Sequence, residues 1–455
     1  MRFDTGNPPA DRRSRCRNVA AGMAAAALAA CAATEPPKPD QQSGTDRPPM
    51  LARFVSAAPG TAGKVCYGAV VTEADGVPVT LRVIRSDGRP LCDQPVQRAK
   101  AVAELRAALK SLDDPAASHG PEEMIAAGEL ASRIRAPIPM DATWLSTAAA
   151  PAGRVYIVGA GINYGEHAKE TGASEAILFP KPTLPTGPYA ALAQVPRIDG
   201  KPGSVCLLDY EVEIAFVVLE DMDLRAVPGE SFLWDRLAFF AVNDVSDREP
   251  IILDRTLGYT RAKARPGFLP SGPWLVAGWH VAPRTAEGGT EPLLLSLSTR
   301  EGSAVPSPWI QRQSASSIDM TLGPRAILDS LQERDPTAAA CRQGDEVCSM
   351  KDADGADRHM LHDHVLPAGS IVLTGTPGGT AIKDPGLSVE LQYWMRANFD
   401  IAKARELAVD DQSKARSDLG YLEPGDEVDQ TVGFLGRQRW RVAEDPASGG
   451  CIATP

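Results

Sequence analysis

The sequence predicts an α+β fold that is rich in β-strands. Beyond residue 154, short apolar runs of strand length alternate with Gly- and Pro-rich turns. Helical periodicity is sparse there and clearest over residues 232–239 and 325–333. This pattern favours a β-rich fold over a doubly wound parallel sheet, which needs regular strand–helix alternation. The 455 residues, 43% of them hydrophobic, indicate a globular protein of two or three domains.

The first 30 residues have the pattern of a bacterial lipoprotein signal peptide. Arg12, Arg13, Arg15 and Arg17 precede an apolar run at 20–30, which is too short to span a bilayer. The run ends in Leu-Ala-Ala before Cys31, and this resembles a lipobox. The resemblance implies cleavage before Cys31 and lipidation of its sulfur. The protein would then be exported to the periplasmic side of a bacterial membrane and attached to that membrane only through this lipid. The alternative is an uncleaved Ala-rich tail, and the two adjacent arginines are a weak twin-arginine signal.

A flexible tether is expected over residues 31–50, because 34–50 is rich in Pro, Asp, Gln, Ser and Gly. The whole chain carries a net charge of −11. The leader contributes five Arg and two Asp, a charge of +3, so the remaining chain is near −14. So acidic a protein is not expected to bind nucleic acid or anionic lipid through its overall field.

Six cysteines follow Cys31, and an exported protein meets an oxidising compartment. Cys66 and Cys92 flank one expected hairpin, Cys341 and Cys348 lie close together, and Cys206 with Cys451 would remain. An even number permits disulfides without fixing their connectivity.

A small N-terminal α/β domain is expected over residues 51–150. Strands are expected at 51–55, 65–71 and 80–84. Helices are expected at 96–111 and 122–135. A larger domain would follow over 151–442, with a short tail at 443–455.

Three acidic residues interrupt two apolar runs in the larger domain. Glu211 and Glu213 lie in the run 208–215, and Asp244 follows the run 237–242. Residues two apart on a strand point to the same face, and like charges held together need a cation or a proton. Three carboxylates with positions left for water and substrate suit a hard divalent ion. The alternative is a half-exposed strand with alternating charge.

Other polar motifs lie around this acidic group in chain order. Together with the acidic residues they make up six motifs, at residues 161–170, 179–182, 209–213, 243–248, 263–274 and 374–379. In these residues and in this order the sequence resembles the fumarylacetoacetate hydrolase family. The resemblance extends over about residues 151–440.

The resemblance implies a fold, a cofactor and a set of roles. The catalytic domain would be a mixed β-roll or barrel, and a homodimer is expected. The cofactor would be Mg²⁺, or else Mn²⁺ or Ca²⁺, held by Glu211, Glu213 and Asp244. The remaining roles are a water-activating base, His167, oriented by Glu170; a cation for the developing enolate, Lys263; and substrate contacts at Tyr164, Lys181, Arg248 and Thr376.

Each of these residues also has an ordinary structural interpretation. His167 could be a core histidine, Lys263 a solvated loop lysine, Arg248 the partner of an acidic side chain, and Thr376 a turn former. A dinucleotide fingerprint at 159–164 fails because its third glycine falls on Tyr164. His359, His362 and His364 have metal-like spacing, but a solvated loop is the better interpretation.

Two inserts and one substitution depart from the family pattern. The inserts, at about 334–364 and 381–419, flank the Thr376 loop and are interpreted as lids, as interface elements or as surface decoration. Members that cleave acylpyruvates often carry Gln three residues after the motif arginine, where this chain has Ile251. The substrate is therefore expected to differ.

The leading hypothesis is a metal-dependent hydrolase that cleaves a C–C bond in an acylpyruvate- or fumarylacetoacetate-like 1,3-dicarbonyl or 2-oxo acid, with a small keto acid as substrate. The first alternative is a decarboxylase, isomerase or hydratase of a 2-oxo acid that passes through an enolate. The second is a lipid-anchored binding protein without catalytic activity.

Overall fold

The computed structural model describes residues 47–92, 97–114, 119–146, 154–171, 176–192, 205, 207–254, 258–285, 291–302, 307–333, 349–351, 357–361, 363–382 and 386–443. The predicted leader, the lipidation site Cys31, most of the tether and nearly all of the C-terminal tail lie outside these residues. So do Cys206, Cys341, Cys348, Cys451 and His362.

The described residues contain many short strands. In chain order they are β1 Leu51–Val55, β2 Val65–Ala74, β3 Val77–Ser86, β4 Arg89–Pro90, β5 His119–Met124, β6 Ile134–Arg135, β7 Ile157–Gly161, β8 Ile177–Pro180, β9 Leu208–Asp209, β10 Val212–Val218, β11 Met222–Asp223, β12 Leu237–Asn243, β13 Ser246–Asp247, β14 Trp274–Ala277, β15 Leu294–Arg300, β16 Ile310–Ser316, β17 Ser349–Lys351, β18 Asp357–His359, β19 Val365–Leu366, β20 Ile371–Leu373, β21 Glu427–Val432 and β22 Arg437–Arg441.

The helices are short and mostly peripheral to the sheets. They are α1 Arg98–Ser111, α2 Leu130–Arg133, α3 Gly165–Thr171, α4 Glu230–Trp234, α5 Arg248–Leu253, α6 Gly258–Lys263, α7 Gly278–Thr285, α8 Pro324–Glu333, α9 Gly386–Arg396, α10 Ile401–Lys414 and α11 Arg416–Leu419. Within the described ranges, none of them is long and apolar enough to cross a bilayer.

A large mixed sheet organises these elements. Its strand order is β4-β3-β2-β1-β14-β12-β10-β20-β7-β8, with β5 beside β3 and β6 beside β1. Among the described strands of this sheet, only the β20–β7 pair is parallel; the other pairs are antiparallel. A second sheet has the order β16-β15-β21-β22. The β-rich α+β prediction is confirmed.

The barrel part of the expectation is wrong for the described strands. A barrel needs every strand to have neighbours on both sides. The path of the large sheet instead begins at β4 and ends at β8, which do not pair with each other in the described part of the chain. The N-terminal strands extend this same sheet, because β1 pairs with β14.

Two hydrophobic cores cover the two faces of the central strands. Along β10, Ile214, Phe216 and Val218 pack into one core, while Ala215 and Val217 pack into the other. This is the period-two alternation of a strand with both faces covered, which explains its nearly continuous apolar sequence. Any acidic residue at the end of this strand is therefore held near a dry interior.

The N-terminal predictions have mixed outcomes. The run 51–55 is β1, and the helix expected at 96–111 is α1. The helix expected at 122–135 is wrong: β5 pairs with β3 in the register Thr80↔Met124, and only α2 is α-helical. Edge pairing with β3 supplies backbone hydrogen bonds that local helical preference cannot outweigh.

Later in the chain, the helix expected at 325–333 is confirmed as α8. The helix expected at 232–239 ends at Trp234, and β12 begins at Leu237. Residues from Leu237 on pair with β10 in the centre of the sheet, so tertiary pairing decides their conformation.

A disulfide joins Cys66 in β2 to Cys92, which follows β4. The pairing suggested by the hairpin is confirmed. The bond closes a chain separation of 26 residues and ties the outer strands together. Such a crosslink lowers the entropy of the unfolded chain.

The two inserts differ in what the structure describes. In the first, β17 and β18 form a small hairpin. In the second, α10 packs against α9 and against α5. An ion pair between Arg396 and Asp411 (2.7 Å) fastens α9 to α10. The Arg405 guanidinium donates to the carbonyl of Leu253 (2.8 Å) and fastens α10 to the end of α5.

Candidate active site

The three acidic residues of the sequence motif meet at one end of the β10–β12 pair. The register Val212↔Asn243 places Glu211 opposite Asp244, and the Asp244 N–H donates to the Glu211 carbonyl (2.9 Å). One carboxylate oxygen from each of Glu211, Glu213 and Asp244 lies within 4.8 Å of the others. All three residues are buried. The structure therefore forms the oxygen-only group that the spacing predicts.

Two buried lysines compensate part of this negative charge. Lys263, the last residue of α6, donates to Glu211 Oε2 (2.5 Å) and to Asp244 Oδ2 (2.7 Å). Lys181, just after β8, lies 2.6 Å from Asp244 Oδ1 and donates to the carbonyl of Lys263 (2.7 Å). Lys263 is thus no solvated loop lysine, because it is fixed between two of the carboxylates. Lys181 holds Asp244, and its predicted contact with substrate stays a prediction.

Arg248 completes the network on the other side of Glu211. Its guanidinium bonds Glu211 Oε1 (2.5 Å) and Asp209 Oδ2 (2.7 Å). Asp209 also accepts from the N–H groups of Ala381 and Ile382 (3.0 and 3.3 Å), where the second insert begins. Arg248 is therefore the partner of acidic side chains, which is the alternative to a substrate contact that the sequence left open. It also lines the cavity described below, so its contact with substrate stays a prediction.

The pKa values of Glu211 and Glu213 are shifted in opposite directions. Burial by itself raises the pKa of Glu211, but Lys263 and Arg248 bring it down to about 2. Burial, then Asp244 and Glu211, hold the pKa of Glu213 well above its usual range. Among the described residues Glu213 contacts no ammonium or guanidinium group; its Oε2 accepts only from the Gly375 N–H (2.8 Å).

This charge distribution fits a divalent cation. Asp209, Glu211, Glu213 and Asp244 face Lys181, Lys263 and Arg248, so four carboxylates meet three cations in a buried space. The uncompensated carboxylate is Glu213. Carboxylate oxygens alone are the donor set that Mg²⁺, Mn²⁺ and Ca²⁺ prefer. Glu211, Glu213 and Asp244 are the residues that would hold the ion.

His167 and Glu170 form the predicted pair on one turn of α3. His167 is buried, and its Nδ1 lies 3.5 Å from Glu170 Oε2. Both Glu170 oxygens accept from the Gly379 N–H (3.0 and 2.9 Å). Gly379 has φ +105°, and a Cβ there would overlap the carbonyl of Arg312. The glycine-rich turn after β20 therefore fixes the carboxylate that lies beside the imidazole, whose Nδ1 has no hydrogen-bond partner within the described residues.

Thr376 in the same turn is held by hydrogen bonds. Its hydroxyl donates to the Val212 carbonyl (3.1 Å) and accepts from Gln313 Nε2 (2.8 Å). Gln313 also accepts from the Val212 N–H (3.0 Å), so it joins β16, β10 and the turn. Tyr164 is buried, and its hydroxyl has no hydrogen-bond partner among the described residues.

A cavity of about 510 Å³ connects the polar groups with the second insert. Five predicted site residues line it: His167, Glu211, Arg248, Lys263 and Thr376. Much of the remaining wall is apolar and includes residues of α5, α9 and α10. The volume is in the range of pockets that enclose a small organic ligand. The arrangement places an imidazole, an ammonium group and a carboxylate of the acidic group on the wall of one cavity.

Sequence reasoning missed the residues that support this site. Asp209 holds Arg248, Gln313 holds Thr376, and Gln430 accepts from Asn243 Nδ2 (2.6 Å). Asp209 adjoins the acidic motif and could have been included on that ground. Gln313 and Gln430 come from β16 and β21, far along the chain, and no local signal marks them.

Comparison with known proteins agrees with the motif reading. Residues 156–333 match the family described as fumarylacetoacetate (FAA) hydrolase C-terminal. Residues 156–333 therefore form a domain that matches this family. The match includes the acidic group, the His167–Glu170 pair and Lys263, and it ends where the first insert begins. It is shorter than the range of about 151–440 over which we expected the resemblance to extend.

Similarity to individual proteins and solved structures is more distant. A protein of Archaeoglobus fulgidus described as uncharacterized is 26% identical over 239 residues, covering 52% of this chain and 73% of that one. Solved structures include 2-hydroxyhepta-2,4-diene-1,7-dioate isomerase from Mycobacterium marinum, with 18% identity, coverage of 88% and 99%, and a TM-score of 0.45. Another is a fumarylacetoacetate hydrolase from Exiguobacterium antarcticum, with 17% identity, coverage of 87% and 100%, and a TM-score of 0.46.

Proposed function

We propose that this protein is a divalent-metal-dependent hydrolase that cleaves a C–C bond in an acylpyruvate-like 1,3-dicarbonyl or 2-oxo acid. The observation that carries the proposal is that His167, Lys263 and Glu211 line one cavity. Glu213 and Asp244 each have a carboxylate oxygen within 4.8 Å of one from Glu211, and they complete the group that would hold the ion. When bound, a divalent ion supplies Lewis acidity at the substrate oxygens.

The side chains divide the remaining work. His167 is placed to take a proton from water, and Glu170 stabilises the imidazolium that results. The Lys263 ammonium is fixed by Glu211 and Asp244, so it is already in place when negative charge develops on an enolate oxygen. Little reorganisation is then needed during the reaction.

The bond changes balance with water as the only co-reactant. The water oxygen bonds to the acyl carbonyl carbon as its proton passes to His167. The bond between that carbon and the adjacent methylene then breaks, and its electron pair forms the enolate of pyruvate. Protonation of the enolate gives pyruvate and a carboxylic acid.

A substrate panel tests this proposal directly. Wild-type protein is incubated with acylpyruvates and with oxaloacetate in Mg²⁺ or Mn²⁺, and loss of the enol absorbance is followed. We expect metal-dependent turnover of an acylpyruvate, with pyruvate and an acid as products. Products that retain all substrate carbons would indicate the isomerase or hydratase alternative, and release of CO₂ would indicate the decarboxylase. Metal-dependent binding with no turnover of any substrate would indicate a binding protein.

We also propose that the protein is exported and anchored through a lipid on Cys31. The Cys66–Cys92 disulfide supports export, since disulfides persist mainly in oxidising compartments. The lipobox-like residues before Cys31 supply the attachment point.

Metabolic labelling with a fatty acid tests the anchor. The wild type should take up label and fractionate with membranes, whereas Cys31→Ala should lose all labelling because the acylated sulfur is gone. Cys16→Ala is the matched control, since Cys16 lies in the leader and should be removed with it. Labelling that survives in Cys31→Ala would contradict the anchor.

A further inference from the structure

We propose that the substrate carries an extended apolar group, a long acyl chain or an aryl group, which binds between α5 and the α9–α10 hairpin of the second insert. The inference rests on the proposed function, because it places the keto-acid head at the His167 end of the same cavity. To the proposed reaction, the inference adds the class of substrate that the cavity side chains would favour.

The first observation is the origin of the cavity wall. Nine of its lining residues belong to the second insert, including Tyr393 and Trp394 of α9 and Ile401, Ala404 and Ala408 of α10. The three on α10 are spaced three and four residues apart, so they lie on one face of the helix. This face of the insert forms part of the cavity wall, so the second insert is more than a surface addition.

The second observation is the chemistry of the other wall. Ile251 and Ile252 of α5 line the cavity, as do Ile162, Ile177 and Tyr259. Ile251 lies three residues after Arg248 on α5, and both side chains line the cavity. An isoleucine there offers no hydrogen bond to a second polar group, but it contributes apolar surface. The two walls together favour a ligand with one polar and one apolar end.

The third observation is the fixed position of the insert. Arg396–Asp411 joins α9 to α10, and Arg405 joins α10 to α5. Asp209 accepts from Ala381 and Ile382, so the start of the insert is bonded to the network that holds Arg248 and Glu211. The apolar wall is therefore positioned relative to the acidic group. Its small residues, Ala404 and Ala408, leave space for the ligand.

Size and transfer free energy set the expected effect. A cavity of about 510 Å³ is large for acetylpyruvate alone. Each methylene that moves from water to an apolar wall strengthens binding about fourfold. We expect kcat/KM to rise by about that factor per added methylene until the cavity is filled.

The experiment uses straight-chain acylpyruvates from acetyl to decanoyl with wild-type protein, Ala408→Trp and Ala402→Trp. Ala408→Trp fills the apolar end and should lower the ratio of kcat/KM for decanoylpyruvate to kcat/KM for acetylpyruvate by at least about tenfold. Ala402 is exposed on the same helix and does not line the cavity, so Ala402→Trp should keep the wild-type chain-length profile. Ile251→Gln, which adds a polar group to the other wall, should also flatten the profile.

Calorimetric Kd values for the same series separate the two proposals. Turnover of acetylpyruvate with kcat/KM and Kd that do not improve along the series would overturn the apolar subsite and leave the hydrolase in place. Kd values that tighten with chain length, without turnover of any member, would support the subsite and overturn the hydrolase. If Ala408→Trp does not fold, Ile251→Gln and the wild-type Kd series decide the outcome.

Discussion

Replacing His167 with alanine should lower kcat by about 10²–10⁴-fold, the usual worth of a general base, and leave metal binding intact. The reason is a division of labour within the site. Glu211, Glu213 and Asp244 form the ion-binding group, whereas His167 lies on α3 and pairs with Glu170 (3.5 Å). The measurement is kcat on the substrate found by the panel, together with the metal content of the purified variant.

Two variants sharpen this prediction. Glu170→Gln should cost less than His167→Ala, because the amide oxygen can still accept from the Gly379 N–H but no longer stabilises an imidazolium. His280→Ala is the matched control, since His280 pairs with Asp113 (2.6 Å) and does not line the cavity. Equal turnover by wild type and His167→Ala would show that another group takes the proton.

Glu211→Gln, Glu213→Gln and Asp244→Asn should each weaken ion binding, by at least the roughly 10–100-fold typical of changes behind the ligands. Each substitution removes a ligand charge and also relieves repulsion between carboxylates, and the lost charge should dominate. Calorimetric titration with Mg²⁺ or Mn²⁺ gives the affinities. Glu166→Gln is the control, because Glu166 is exposed on α3 and lies outside the acidic group.

The three variants should differ in the stability of the metal-free protein. Glu213→Gln replaces a buried carboxyl group that no ammonium or guanidinium contacts in the described part of the chain, so its Tm should match or exceed that of wild type. Glu211→Gln leaves Lys263 and Arg248 short of a partner and should lower the Tm.

In the calorimetric titrations, an affinity for Mg²⁺ or Mn²⁺ that is unchanged from wild type in all three variants would eliminate the proposed metal site.

The local parts of this site are readable from the sequence. Glu211 and Glu213 are neighbours because strand residues alternate faces, and His167 and Glu170 are neighbours because a helical turn brings residues three apart together. The β-rich fold and the β1 and α8 segments follow from the same periodicities. Backbone geometry fixes these relations within a few residues, whatever the rest of the chain does.

The long-range parts depended on the tertiary structure. The β10–β12 register sets Asp244 opposite Glu211, and Lys263 reaches both from α6. The 122–135 segment became β5 through pairing with β3, and α10 became a wall of the cavity by packing on α5. These relations join residues far apart in the chain. They arise from strand pairing and from burial of side chains on both faces of the sheet, which no local sequence pattern specifies.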